Sequence, residues 1–307
     1  MNATPSGSVL TSSTFGFRKT SSMSRLHALL SLVLLAFTAA SLPGNAADST
    51  NKAPEVSVFA DRRLEDAVRQ QVFAKRYTNS PLTAVDVANV STFNGNGRGI
   101  TNLAGLEHCK ALAAADLAGN QITDLSPIKG LKQLQYLNLA TNRLKNIAPL
   151  GTLAALQYIE ISQNQVTDLA PLAGLTNLAS LYAGHNRIKS ASTLTNLPRL
   201  VSLHLEFNQL SSVAGFQNLR GLGSLSVSHN QVSDVSPLIG LRAPTYLFLD
   251  ENRIHDLAPL NGWITNDLAG NKNFAPFVNV YLHGNRLNSK SRQLLTDWKK
   301  AGVRINE

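Results

Sequence analysis

Residues 131–153 read LKQLQYLNLATNRLKNIAPLGTL, and this stretch decides the fold. Asn142 in this stretch belongs to a series of asparagines that recurs every 22 residues along the chain: Asn120, Asn142, Asn164, Asn186, Asn208, Asn230 and Asn252. A frame of leucines recurs with each asparagine, so one supersecondary unit is repeated. Units of this kind contact only their neighbours, and we therefore expect one stacked array rather than two separate domains.

Each unit contains a short strand followed by a tight turn. The strand is indicated by a period of two, in which Leu137 and Leu139 point inward while Tyr136 and Asn138 point outward. The later Asp-Leu-x-Pro-Leu segment, as at residues 168–172, suits a 3₁₀-like turn on the opposite side of the unit. We therefore expect parallel strands along the inner face of the array and 3₁₀-type turns along its outer side.

The recurring asparagine is predicted to be structural. Where each strand turns away, backbone groups of adjacent units become buried and need hydrogen-bond partners. A carboxamide carries both a donor and an acceptor, so it is able to satisfy groups in its own unit and in the unit before it.

The ends of the chain depart from the repeat. Residues 1–46 contain the bases Arg18, Lys19 and Arg25, then an apolar stretch and small residues, and are interpreted as a signal peptide of the Sec type, with Met23 as an alternative start. Residues 47–57 are polar and predicted to be a linker. Because the three bases lie in the leader, its removal lowers the formal charge from +9 to +6, which does not favour nucleic-acid binding.

Caps are expected on both sides of the repeats, which are assigned to residues 98–287. In the N-terminal cap, residues 58–97, Asp61 is predicted to begin one helix and Thr83 a second. In the C-terminal cap, residues 288–307, a helix is expected to begin at Ser289 or Ser291 and to precede a final strand. Past Gly262 the period breaks, and the spacing of Asn271 and Asn285 from Asn252 predicts a shortened unit followed by a shifted one.

Three segments carry the consensus most clearly: NQITDLSPI at 120–128, NQVTDLAPLAGLTNL at 164–178 and NQVSDVSPLIGL at 230–241. On these the chain resembles the internalin-like family of bacterial leucine-rich repeat proteins over residues 58–307. The resemblance implies an α/β fold, a leucine-rich repeat solenoid with a parallel inner sheet, 3₁₀-type outer turns, a helical N-terminal cap and a helix-strand C-terminal cap. It also implies an extracellular binding protein.

The outward strand positions, two, four and six residues before each asparagine, are the candidate binding surface. They contain aromatic, acidic and imidazole side chains, and no lysine or arginine across the nine strands considered. Aromatic side chains that bury area at little entropic cost are typical of binding interfaces, although they also favour strands for structural reasons. The candidate partner-binding residues are Tyr136, Tyr158, Glu160, Tyr182, His204, Glu206, Tyr246, Phe248, Asp250 and Tyr281. Asp116 and Asp267 are assigned to the same surface, and arginines to its edge.

Other site chemistry finds little support in the sequence. His185, His204 and His229 lie on consecutive units, but residues two strands apart are about 9.6 Å apart, so we expect solvated histidines rather than a zinc site. Cys109, the single cysteine, occupies an apolar slot and is predicted to be a buried hydrophobic residue. Motifs of nucleophilic, metalloprotease or nucleotide-binding enzymes are absent from the sequence, so neither catalysis nor a cofactor is expected.

The sequence therefore predicts a secreted or periplasmic, monomeric protein-binding module that uses the inner strand face. Its partner is expected to present a neutral to basic surface, since the inner face carries acids. The alternative is an envelope glycan or peptidoglycan bound on the same aromatic residues. Neither nucleic acid nor stable insertion into a membrane is expected.

Overall fold

A computed structural model of the chain describes residues 55–307. The predicted signal peptide and the first part of the predicted linker lie outside these residues. Across residues 55–307, no helix is both long enough and apolar enough to cross a bilayer.

One parallel sheet of ten strands organises the described chain, and its strands follow the order of the sequence. Each strand pairs with the next in register, so that Leu137 lies opposite Ile159 and Tyr136 opposite Tyr158. The strands are β1 (Thr92–Asn94), β2 (Ala114–Asp116), β3 (Tyr136–Asn138), β4 (Tyr158–Glu160), β5 (Ser180–Tyr182), β6 (Ser202–His204), β7 (Ser224–Ser226), β8 (Tyr246–Phe248), β9 (Asn279–Tyr281) and β10 (Arg304–Asn306). This confirms the expected parallel inner sheet.

The core is a stack of aliphatic layers between the sheet and the turns. Leu137, Leu139 and Leu144 are fully buried, and the equivalent positions of the other units from Asn120 to Asn252 are buried as well. The outer turns contain the expected 3₁₀ segments, at Leu106–His108, Ser126–Ile128, Ala148–Thr152, Ala170–Leu172, Phe216–Asn218 and Ser236–Gly240. Proline occupies the first turn of four of these segments, where its missing N–H costs nothing.

The asparagine ladder is confirmed atom by atom. The side-chain oxygen of Asn164 accepts the N–H of Leu144 at 2.9 Å. Its amide nitrogen donates to the carbonyls of Leu139 and Ile161, both at 3.0 Å. Each asparagine of the series thus ties its own coil to the coil before it, as the need to satisfy buried backbone groups predicts.

Two helices cover the N-terminal end of the stack. Helix α1 (Arg62–Arg69) begins after Asp61, whose carboxylate accepts the N–H of Arg63 as predicted. The same carboxylate accepts the N–H of Thr101, which fastens the helix to the first coil. Helix α2 (Ala84–Val87) follows Thr83, the predicted capping residue. The sheet already begins at β1, inside the segment assigned to this cap.

The expectation of a shortened unit after Asn252 is wrong. Helix α3 (Ala258–Ala269) replaces the narrow outer turn of this coil, which makes the coil 11 residues longer than its neighbours. Asn285, and not Asn271, continues the ladder by accepting the N–H of Ile254 and donating to the carbonyl of Leu249. Asp267 therefore lies at the end of a helix and not on the inner face. Its carboxylate accepts the backbone N–H groups of residues 273–275.

Helix α4 (Ser289–Lys300) and β10 close the C-terminal end, as expected. The capping residue differs from the prediction, because the side chain of Asn288 accepts the N–H of Ser291 and so begins the helix. Ser291 is fully buried instead. Its hydroxyl donates to the carbonyl of His255 and accepts the N–H of Leu257, which joins the cap to the last long coil.

The residue before each ladder asparagine adopts a left-handed backbone conformation. Its φ lies between +52° and +57° in the units that use a side-chain-bearing residue at this position: Thr141, Gln163, His185, Phe207, His229 and Glu251. Glycine occupies the equivalent position at residues 119 and 284. Because this conformation is costly for residues with a Cβ, each such coil stores backbone strain of about 1–2 kcal/mol.

Candidate protein-binding face

The outward side chains of the strands form one continuous surface, here called the inner face. All ten residues predicted to bind a partner lie on it, on six strands from β3 to β9 or directly after them. Because the strands pair in register, residues from equivalent positions of adjacent units lie side by side. The 22-residue period therefore turns distant sequence positions into rows on one surface.

Four neighbouring rings run across β3 to β6 and form what we call the tyrosine column: Tyr136, Tyr158, Tyr182 and His204. The middle pair is tilted by 38° at 5.5 Å. The centroids of Tyr136 and Tyr158 are 4.6 Å apart with nearly parallel planes, which agrees with the spacing expected for adjacent strands. The last pair, Tyr182 and His204, stacks at 4.7 Å. The column steps diagonally, because Tyr182 lies two residues nearer to its ladder asparagine than Tyr158 does.

A second group of rings, the C-terminal aromatic cluster, consists of Tyr246, Phe248 and Tyr281. Phe248 lies 5.9 Å from Tyr246 on the same strand and 4.6 Å from Tyr281 on the next. Between the two groups runs β7, whose outward residues Ser224 and Ser226 are serines, as is Ser228 directly after the strand. The inner face therefore consists of two aromatic ridges that are separated by a strand with small polar side chains.

The electrostatics of the inner face are acidic. Asp116, Glu160, Glu206 and Asp250 lie on it, whereas Arg304 on β10 supplies its one lysine or arginine among residues 55–307. The arginines that directly follow ladder asparagines, such as Arg143, are exposed at the edge as predicted. Burial raises the pKa of Tyr158, and the nearby Glu160 raises it further, so its phenol stays neutral.

His204 lies at the centre of this surface. Its Nε2 atom is 3.2 Å from the hydroxyl oxygen of Ser224, and its Nδ1 atom is 3.9 Å from Oε2 of Glu206. Burial lowers the pKa of His204 below its usual value, although the Glu206 carboxylate opposes this effect. The imidazole is therefore neutral at physiological pH and serves as a stacking and hydrogen-bonding group.

Sequence reasoning missed a third stack, which runs along the edge of the face. This edge column is the set His185, Phe207 and His229, in which Phe207 lies 4.1 Å from one imidazole and 4.0 Å from the other. All three residues occupy the left-handed position before a ladder asparagine. The signal was present in the sequence, since the three residues are spaced by 22. Only the backbone conformation shows that their rings turn toward one another.

Two further candidate sites considered in the sequence involve the thiol of Cys109 and the histidines of consecutive units. Cys109 is fully buried, as predicted, and burial raises the pKa of its thiol to about 12, which makes it unreactive. Phe207 separates His185 from His229. Within residues 55–307 there is no group of three histidine, cysteine or acidic residues placed to hold a metal ion.

Comparisons with known proteins agree with this architecture. A family model for leucine-rich repeats, in two copies, matches residues 115–152 and 176–221. Internalin C2 of Listeria monocytogenes is 28% identical, with a TM-score of 0.54 over 76% of this chain and 88% of that protein. Internalin F of the same organism is 21% identical with a TM-score of 0.59, over 84% of this chain and 94% of that one. No curated protein sequence matches the chain.

A leucine-rich repeat protein of Leptospira interrogans is also similar in structure, with 24% identity and a TM-score of 0.58. The match covers 66% of this chain and 50% of that one. The coiled fold with its asparagine ladder defines a leucine-rich repeat protein, and proteins of this class are protein-interaction modules. The chain is also similar to internalin C2 over most of both chains, so its leucine-rich repeat architecture resembles that of an internalin.

Proposed function

We propose that the protein is a secreted or periplasmic module that binds another protein through its inner face, without catalysing a reaction. The observation that carries this proposal is the pair of aromatic ridges, the tyrosine column and the C-terminal aromatic cluster, which lie half-exposed on one continuous sheet. Stacked aromatic rings on an ordered backbone bury large areas at small entropic cost, as the energetic centres of protein interfaces do.

Charge defines the kind of partner. From β1 to β9 the inner face presents acids without lysine or arginine, so a cationic or neutral surface gains from the contact and an anionic surface is repelled. We therefore propose a partner with a neutral to basic contact surface, bound by one copy of this chain. A glycan of the cell envelope is the alternative ligand, because stacked tyrosines are also able to pack against sugar rings.

The test is capture of proteins from an envelope extract by the purified protein, beside binding to a panel of polysaccharides. Substituting Tyr136→Ala and Tyr158→Ala together should weaken binding of the captured protein at least about tenfold, because both rings of the stack are lost. The matched control, Arg143→Gln with Arg187→Gln, changes two exposed edge residues and should alter affinity little. Binding that depends on the arginines and not on the tyrosines contradicts the proposal, and saturable binding of a polysaccharide instead supports the alternative.

A further inference from the structure

Glu206 holds an unusual position near the middle of the inner face. Its Oε2 atom is buried and accepts no hydrogen bond from any of residues 55–307. The side chain as a whole keeps 28% of its accessible surface, so it is partly open to solvent. A carboxylate oxygen that is buried without a donor is costly, and such a group calls for a partner.

The adjacent coil is shaped around this carboxylate. Gly184 lies on the unit before Glu206, and a Cβ at residue 184 would lie 2.7 Å from Oε1 and 3.0 Å from Cδ of Glu206. The carboxylate therefore occupies the space that any other residue at position 184 would fill. The place where the Glu206 carboxylate lies over Gly184 is here called the recess.

Aromatic rings lie on both sides of this recess. On β5 and β6 the tyrosine column contributes Tyr182 and His204, which precede Gly184 and Glu206 by two residues. The edge column follows directly after the same two residues and contributes His185 and Phe207. Glu206 thus lies between two stacks of flat rings, and Phe207 is 43% exposed.

The surroundings supply no permanent countercharge. His204 lies 3.9 Å away through Nδ1, which is too long for a hydrogen bond, and burial keeps its ring neutral at physiological pH. Apart from Arg304 on β10, the inner face of the described chain has no arginine or lysine. The negative charge of Glu206 is therefore available to a cation from outside the molecule.

We propose that the recess over Gly184, between the tyrosine column and the edge column, binds one arginine side chain of the partner protein, with Glu206 as the anion. A guanidinium is flat, stacks on aromatic faces and donates charge-assisted hydrogen bonds to a carboxylate. It matches a carboxylate flanked by rings better than the compact, strongly hydrated ammonium of lysine does. This inference rests on the proposed function and names the anchor residue of the partner.

The probe is the peptide acetyl-Gly-Arg-Gly-amide, titrated into the whole protein while the ring signals of Tyr182, His204 and Phe207 are followed by NMR. Saturable shifts of these signals in the millimolar range are expected. The citrulline peptide has the same shape without the charge and should bind at least tenfold more weakly. The lysine peptide should bind at least threefold more weakly.

Two substitutions distinguish binding at the recess from attraction by the overall charge of the protein. Glu206→Gln keeps the shape and should weaken binding of the arginine peptide at least tenfold. Gly184→Ala keeps the charge but displaces the carboxylate, and it should also weaken binding, with an unchanged melting temperature showing that the coil is intact. Asp66→Asn removes an exposed acid on α1 and is the control, with no expected effect.

Equal binding of the arginine and citrulline peptides, or of the arginine and lysine peptides, would overturn the assignment, as would full binding by Glu206→Gln. These outcomes differ from failure of the proposed function. Protein capture that needs Tyr136 and Tyr158 but tolerates Glu206→Gln rejects the arginine recess alone. Specific peptide binding without any protein captured leaves the recess in place and rejects the broader proposal.

Discussion

A single carboxamide per coil determines how adjacent coils join. Asn164 has its oxygen and both amide hydrogens engaged with backbone groups that are otherwise buried without partners. A shorter side chain at this position does not reach these groups, and an acid lacks the donor. The recurrence of asparagine every 22 residues is therefore a requirement of the backbone rather than of the ligand.

Asn164→Ala is expected to destabilise the protein by about 3 kcal/mol, because it leaves a buried N–H and two buried carbonyls with fewer partners. The free energy of unfolding, from denaturant titration, measures this effect. Asn146→Ala removes an exposed asparagine that accepts one N–H, from Ala148, and should cost about 1 kcal/mol or less. Equal losses in the two variants would show that the ladder is not the main tie between coils.

Thr141 is the least suitable residue for the left-handed position, because a β-branched side chain at φ = +56° is crowded against its own backbone. Thr141→Asn should stabilise the protein by about 0.5–1 kcal/mol, since asparagine tolerates this conformation better than other residues with a Cβ. Thermal unfolding is the measurement. Thr176→Asn, at an exposed position without a positive φ, should bring no gain. A lower melting temperature for Thr141→Asn would contradict the assignment of strain.

At the scale of elements, the coil that follows Asn252 differs most from its neighbours. Its helix α3 ends at Ala269, and the chain then has to turn back to reach β9. Asp267 makes this return possible by accepting three successive backbone N–H groups. Burial acts to raise the pKa of Asp267, but these hydrogen bonds outweigh it and lower the pKa.

Asp267→Ala should loosen the segment 271–278 locally, at a cost of about 1–2 kcal/mol, by analogy with the loss of a helix-capping carboxylate. Amide hydrogen exchange should accelerate in this segment and not in β2 to β6. Because the lowered pKa means that the ionised form supports the fold, this support is present above the unfolded pKa of about 3.9 and is lost as the pH falls below it. Uniform acceleration throughout the sheet would show that the long coil is not an independent unit.

At the scale of the whole molecule, the periodic part of the chain was predictable and the aperiodic part was not. Equal spacing in the sequence is enough to place Tyr136 beside Tyr158, since equivalent positions of paired strands are neighbours. The same reasoning failed after Asn252. Asn271 and Asn285 are the same residue type, and only the path of α3 decides which of them joins the ladder.

Side-chain orientation set a second limit on prediction. The sequence places Gly184 and Glu206 in equivalent positions of adjacent units, but it does not show that the carboxylate of Glu206 lies over Gly184. Nor do the spacings of His185, Phe207 and His229 show that their rings stack, because the left-handed backbone that turns them together follows from the path of the ladder. Positions were therefore predictable, while the contacts that make a site depend on the folded chain.

The free energy of unfolding should depend on pH through His204, which lies at the centre of the inner face. The ring of His204 is packed among Tyr182, Glu206 and Ser224, and its folded pKa is lowered by burial. The unfolded chain therefore takes up this proton more readily than the folded one, so the contribution of His204 falls as the pH drops below about 6.5. His204→Gln should lose less unfolding free energy between pH 7.5 and pH 5.5 than the wild type does. Identical losses would contradict this coupling.

The asparagine ladder has a consequence for how such a gene changes length. Every coil between Asn120 and Asn252 offers the next coil the same set of backbone donors and acceptors, so its two sides are interchangeable with those of its neighbours. Duplication or loss of 66 nucleotides within this part of the gene adds or removes one coil and leaves the hydrogen bonds between the remaining coils intact. Recombination between copies can thus lengthen or shorten the inner face in whole steps, whereas a length change of another size has to be absorbed within one coil, as helix α3 does after Asn252.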